Sequence, residues 1–81
     1  MNNERQKSNN EALRKRLMEL LMMGEFFSEV AANYILKYQF YDLARAEQLI
    51  VIEGYYPSGA VKMRLGVRGG DFIKGHIVFE F

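Results

Sequence analysis

Hydrophobic positions in the first half of the chain recur with the period of an α-helix. Leu13, Leu17, Leu20 and Leu21 form one stripe, which Met18 and Met22 widen on its flanks; it follows the capping-box pattern of residues 8–11 and precedes Gly24. A second stripe is longer and consists of Phe27, Val30, Ala31, Tyr34, Ile35 and Tyr38. We therefore predict a frayed lead-in over residues 1–7, a first helix from Ser8 to about Gly24, and a second helix that begins near Phe27.

The end of the second helix has two interpretations. Neither Gly nor Pro occurs between Lys37 and Asp42, so no residue there marks a clear stop. A break near Tyr41 would let Asp42 cap a short third helix over residues 42–48. Alternatively, the second helix bends and continues. The prediction is therefore two or three helices, with a break near Tyr41 favoured.

From Leu49 onward the pattern changes to the alternation that is typical of β-strands. Strands are predicted over residues 49–52, 61–65 and 76–79, joined by three-residue loops at Pro57–Gly59 and Gly69–Asp71. The fold predicted for residues 8–81 is one α+β domain. Its two or three N-terminal helices pack on one face of a three-stranded antiparallel β-meander, in the order ααβββ.

The loop lengths fix which side chains share a face of the predicted sheet. The face toward the helices is apolar apart from Glu53 and contains Leu49, Val51, Tyr55, Val61, Met63, Leu65, Val67, Ile73, Ile77 and Phe79. The outer face mixes apolar, aromatic and cationic residues: Ile50, Ile52, Tyr56, Lys62, Arg64, Arg68, Phe72, Lys74, His76, Val78 and Glu80. This mixture is unusual for a solvent-facing sheet surface and makes the outer face the candidate functional surface.

Composition excludes several classes of site. The 81 residues contain no cysteine and a single histidine, which rules out thiolate chemistry and a multi-histidine metal site within one chain. The formal net charge of +1 gives no overall field that would attract nucleic acid or anionic lipid. No apolar run approaches the length needed to cross a membrane, and the polar N-terminus does not resemble a secretory signal. We expect a cytoplasmic protein.

Binding through the outer sheet face is the predicted function. A regulatory or inhibitory protein would place Ile50, Ile52 and Val78 at the centre of an interface with a protein partner or with a second copy in a homodimer. The predicted partner-binding residues are Ile50, Ile52, Tyr56, Lys62, Arg64, Arg68, Phe72, His76 and Val78. Pairing through an edge strand is a further route to a dimer.

Nucleic acid is the alternative partner. On the same face, cations would contact phosphates and Tyr56, Phe72 and His76 would stack on unpaired bases. The cations are Lys62, Arg64, Arg68 and Lys74. A further interpretation starts from the helices, because three helical segments followed by a glycine-tipped hairpin loosely resemble a winged-helix arrangement. That resemblance implies a wing at residues 68–70 and a recognition helix at residues 42–48, where only Arg45 and Gln48 could contact bases.

Catalysis has little support in the sequence. Threonine is absent, and the only serines, Ser8, Ser28 and Ser58, do not lie in a nucleophile motif. His76 is expected to face solvent, and Glu53 is expected at a margin of the sheet. We predict no catalytic residue, cofactor, metal ion or small-molecule substrate.

Overall fold

The computed structural model describes residues 3–81 and contains six elements over this range. They are α1 (Asn3–Met22), β1 (Phe26–Ser28), α2 (Glu29–Ala46), β2 (Ile50–Tyr55), β3 (Val61–Leu65) and α3 (Val67–Ile73). The α+β class and the antiparallel three-stranded sheet are confirmed. The order ααβββ is wrong, since a short strand separates the first two helices and the last element is a helix.

The first helix is longer than predicted at its N-terminal end. It begins at Asn3 and not at Ser8, so residues 3–7 are helical, while residues 1 and 2 lie outside the described part of the chain. The buried Asn10 side chain donates a 2.7 Å hydrogen bond to the carbonyl of Gln6. The predicted end is confirmed: the helix stops at Met22, and Gly24 has a positive φ of 130°.

The second helix begins at a cap that the sequence analysis did not assign. The Ser28 hydroxyl accepts a 3.0 Å hydrogen bond from the Ala31 amide, which places Ser28 at the N-cap. Phe27 therefore belongs to β1, where it pairs with Met63, and its assignment to the helix was wrong. A strand of three residues is too short to show alternation.

The bend and the buried face of α2 also differ from the prediction. The helix is broken at Lys37, not near Tyr41, and Asp42 is an exposed residue of the second half and not an N-cap. The buried stripe consists of Ala32, Leu36, Phe40, Tyr41 and Ala44. The predicted stripe was wrong, because Val30 and Tyr34 are each 75% exposed and Tyr38 is 93% exposed.

The hairpin between β2 and β3 has the predicted loop. The Tyr56 amide donates to the Ala60 carbonyl, the Gly59 amide donates back to Tyr56, and Gly59 has a φ of 93°. Tyr55 pairs with Val61, as predicted. In the sheet, β3 lies between β1 and β2, so the strand order is β1-β3-β2.

A β-bulge reverses the predicted faces of the first half of β2. Ile52 pairs with Met63 and Gly54 pairs with Lys62, so Glu53 is an extra residue. Because side chains alternate along a strand, one extra residue moves every earlier side chain to the opposite face. Ile50 is consequently buried beneath the helices, and Val51 lies on the outer face beside Arg64.

The third predicted strand is absent from the described residues. Residues 67–73 form α3, and residues 74–81 have no helix or strand. Gly69 packs so closely on the backbone of Leu49 that a Cβ at this position would overlap the Leu49 carbonyl oxygen. One of the two glycines that indicated a turn, Gly69, therefore permits a helix to pack directly on the backbone.

The C-terminal segment, residues 76–81, is held against α1 and α3. Asn10 donates to the Phe79 carbonyl at 2.8 Å and accepts from the Phe79 amide at 2.9 Å. The Phe79 ring stacks on Phe72 with 5.3 Å between centroids. These contacts complete the core that α1, α2 and the sheet form together.

Candidate functional site

The nine predicted partner-binding residues do not form one surface. Only Tyr56, Lys62 and Arg64 share the outer face of the sheet. Ile50 is buried, Ile52 lies on the helix-facing side with 46% exposure, Arg68 and Phe72 are in α3, and His76 and Val78 are in the C-terminal segment. The physical reasons for this dispersal are the bulge at Glu53, the helix α3 in place of the predicted loop, and the irregular backbone of residues 76–79 in place of the third strand.

The cations of that outer face already have partners. Arg64 forms a 2.6 Å ion pair with Glu53, and Lys62 Nζ lies 4.3 Å from the centroid of the Phe26 ring and 5.7 Å from that of Tyr56. Arg68 pairs with Glu47 at 2.9 Å. Because Glu53 and Glu47 neutralise Arg64 and Arg68, little net positive charge is left there to attract a phosphate, and the geometry gives little support to a nucleic-acid site on the sheet.

The bend of α2 is the most unusual backbone feature of the chain. Lys37 has a φ of 58° and a ψ of 175°, in a region that non-glycine residues rarely adopt. A helix broken at this point leaves the last carbonyls of its first half without amide partners. Two cations bind them: Lys37 Nζ donates to the Tyr34 carbonyl at 3.3 Å, and Arg16 donates to the Ile35 carbonyl at 2.6 Å.

Those two cations stabilise the C-terminus of a helical segment, where backbone carbonyls carry partial negative charge. Arg16 comes from α1, so its hydrogen bond also attaches the bend to the neighbouring helix. The bend is therefore a defined turn between two helical halves, residues 29–36 and 38–46, and it carries positive charge at its surface.

Exposed side chains with hydrogen-bonding groups surround the turn. We call this set the bend surface, and it consists of Asn33, Tyr34, Lys37, Tyr38 and Gln39. None of the five is acidic, and the nearest exposed carboxylate further along the helix belongs to Asp42. The bend surface can donate hydrogen bonds, stack aromatic rings and attract an anion.

A polar network joins the two halves of α2. Tyr41, in the second half, donates a 2.7 Å hydrogen bond to Glu29 at the start of the first half, and Arg45 lies 3.5 Å from the same carboxylate oxygen. Burial raises the pKa of Tyr41, the hydrogen bond to Glu29 raises it further, and Arg45 opposes the shift. The network holds the two halves at a fixed relative orientation.

Sequence reasoning missed the bend surface because it assigned Tyr34 and Tyr38 to the core. A usable signal was present, since Ala32, Leu36, Phe40 and Ala44 recur at intervals of four residues and offer a second apolar stripe. Lys37 gave no signal, because nothing in its neighbours requires a positive φ. Arg16 could not be assigned, since its partner lies on another helix.

Comparisons of the chain with known protein families, with curated proteins and with solved structures found no match. Within residues 3–81, no cluster of histidine and acidic side chains has the arrangement of a metal site. The helices of this part of the chain are also too short or too polar to span a membrane.

Proposed function

We propose that this chain is a non-enzymatic DNA-binding protein that contacts the major groove with the second half of α2. The bend surface carries the proposal, because its exposed helix start combines Lys37 and base-contacting side chains, and Arg16 of α1 lies beside the turn. In helix-turn-helix proteins the N-terminal residues of the second helix contact base edges. Here those residues are Tyr38 and Gln39, and Tyr38 is 93% exposed.

The connectivity supports the same proposal. A helix, a short strand, two helical segments and a hairpin follow one another, and the sheet order is β1-β3-β2. This arrangement resembles the winged helix considered in the sequence analysis, but with different segments. The wing corresponds to the loop at residues 57–59 and not to residues 68–70. The recognition helix corresponds to residues 38–46 and not to 42–48.

The side chains suit duplex DNA. The side-chain amide of Gln39 or Asn33 can form two hydrogen bonds with the donor and acceptor that adenine presents in the major groove. Lys37 can donate to the acceptors of guanine or to a phosphate. Arg16, beside the turn, would contact the backbone phosphates. Glu53 and His76, which a catalytic function would use, lie away from the bend surface. Glu53 is paired with Arg64 on the sheet, and His76 is exposed in the C-terminal segment.

The number of cations sets the expected affinity. Two phosphate contacts correspond to a logarithmic salt slope of about −2. Binding to one chain should therefore be weak, of micromolar order, and should decline roughly tenfold between about 50 and about 200 mM salt.

Fluorescence anisotropy with a random-sequence duplex at low salt tests the proposal. Lys37→Ala should weaken binding and reduce the salt slope by about 1. Lys74→Ala is the matched control, because Lys74 is also an exposed lysine but lies beyond α3. No binding at low salt, or equal effects of the two substitutions, would contradict the proposal.

A protein partner is the second candidate, and the exposure of Val30, Tyr34 and Tyr38 favours it. Large exposed aromatic residues are common at the centres of protein interfaces. A photo-crosslinking residue at position 38 should then form a discrete adduct with a protein in cells, whereas the same residue at Glu80 should not. DNA binding that depends on Lys37, without such an adduct, would decide against this candidate.

A further inference from the structure

The outward face of α1 carries a regular stripe. Its members are spaced alternately four and three residues apart, are all exposed, and consist of Glu4, Ser8, Glu11, Lys15, Met18 and Met22. The opposite face, with Leu13, Leu17 and Leu20, is fully buried against the rest of the domain. Every helix offers positions at this spacing, and this set is distinguished by the opposite charges of Glu11 and Lys15 and by two exposed methionines, Met18 and Met22.

We propose that this stripe binds the same stripe of a second copy, with the two α1 helices antiparallel. If the two-fold axis passes beside Leu13, Glu11 lies opposite the second copy's Lys15, and Lys15 lies opposite the second copy's Glu11. Symmetry thus produces two oppositely charged pairs at the centre of the interface. The proposal is independent of DNA binding.

The order of Glu11 and Lys15 along α1 determines both the relative orientation of the two helices and the identity of the partner. In a parallel pair, Glu11 would face the second copy's Glu11 and Lys15 would face its Lys15, which is unfavourable. Only in an antiparallel pair of identical helices does each of these charges face an opposite charge on the second copy. This complementarity is the reason for assigning the face to a second copy and not to an unrelated protein.

The ends of the stripe add apolar contact. Met22 is 87% exposed and Met18 is 49% exposed, although both belong to a well-formed helix. In the antiparallel pair, Met18 covers the second copy's Ser8, and Met22 lies along the aliphatic part of its Glu4. Methionine adapts readily to such irregular surroundings.

The size of the contact predicts a reversible dimer. A helix of 20 residues is about 30 Å long, so the paired faces make an interface at the lower end of the range for specific complexes. The central ion pairs are exposed at their edges, so the dimer should weaken as salt is raised. We expect dissociation in the micromolar range and above.

Charge reversal tests the pairing. In sedimentation equilibrium from about 5 to about 500 µM, the native chain should move from monomer to dimer. Glu11→Lys and Lys15→Glu should each weaken the dimer at least tenfold, and the double variant E11K/K15E should restore it. Glu80→Lys, a charge reversal in the C-terminal segment, is the control and should have no effect. A native chain that stays monomeric, or a double variant as weak as the single ones, would overturn the proposal.

Cysteine cross-linking tests the register separately. The native chain has no cysteine, so Ser8→Cys combined with Met18→Cys should give a covalent dimer under oxidation. Ser8→Cys alone should not, because residues 8 of the two copies would lie about 15 Å apart along the helices. Rapid cross-linking of Ser8→Cys alone, or none in the double variant, would contradict the antiparallel register.

Discussion

Replacing Lys37 by glycine should stabilise the domain. The Lys37 backbone, with a φ of 58° and a ψ of 175°, costs a non-glycine residue about 1–3 kcal/mol. Glycine removes this strain but has more freedom in the unfolded chain, at a cost of about 0.5–1 kcal/mol. It also removes the 3.3 Å hydrogen bond from Lys37 Nζ to the Tyr34 carbonyl, which is solvent-exposed.

The middle of these ranges, about 2 kcal/mol of relieved strain less about 0.75 kcal/mol of entropy and a weak exposed hydrogen bond, leaves a stabilisation of about 1 kcal/mol. For a domain of this size, that corresponds to an increase in Tm of roughly 4–8 °C. Urea denaturation followed by circular dichroism measures the change. The midpoint should rise while the slope stays constant, because the bend persists and the surface exposed on unfolding is the same.

Lys7→Gly is the matched control for this experiment. Lys7 is exposed within the regular helix α1, where glycine should cost up to about 1 kcal/mol. The same substitution is thus expected to act in opposite directions at the two positions. A Lys37→Gly variant destabilised to the same extent as Lys7→Gly would mean that α2 runs through Lys37 without a bend, and the account of the bend surface would fail.

Three further predictions concern other local features. Gln48 follows α2 with a φ of 59°, so Gln48→Gly should raise the unfolding free energy by about 1 kcal/mol in urea denaturation. Gly69→Ala should be strongly destabilising, because its Cβ would overlap the Leu49 carbonyl oxygen, whereas Gly70→Ala has open space and should be neutral or stabilising; equal effects would refute the tight packing of α3. The raised pKa of Tyr41 means that the protonated phenol contributes stability below its ordinary pKa of 10.0, and this contribution is lost as pH rises through the folded pKa. Unfolding free energies measured through alkaline pH should therefore fall more steeply for the native chain than for Tyr41→Phe, and parallel curves would contradict the shift.

Turn residues in the sequence correctly predicted the ends of elements that depend on the backbone angles of one or two residues. Pro57 and Gly59 identified the hairpin loop, and Gly24 identified the end of α1, because each supplies a backbone angle that its turn requires. The antiparallel pairing of β2 with β3 followed from that loop. The outward direction of Arg64 was also predictable, since β3 has no bulge.

Features that depend on tertiary contacts could not be predicted. The bulge at Glu53 has no local signature, yet it moves Ile50 and Ile52 from the predicted binding face to the helix-facing side of the sheet. The glycines at 69 and 70 indicate a turn in isolation, and only the nearby Leu49 carbonyl explains the need for a glycine at position 69 of the helix. The candidate site was predicted on the sheet, whereas the structure favours α2. Both apolar stripes of α2 are compatible with a helix, and only tertiary packing determines which of them is buried.

An NMR titration of the isotope-labelled chain with duplex DNA tests whether the bend of α2 is the DNA-binding site. The shifted amides should cluster around the turn of α2, over residues 33–42. The outer face of the sheet, including residues 51–54 and 62–64, should change little. Shifts concentrated on the sheet, or no shifts at low salt, would contradict the assignment of DNA binding to the bend of α2.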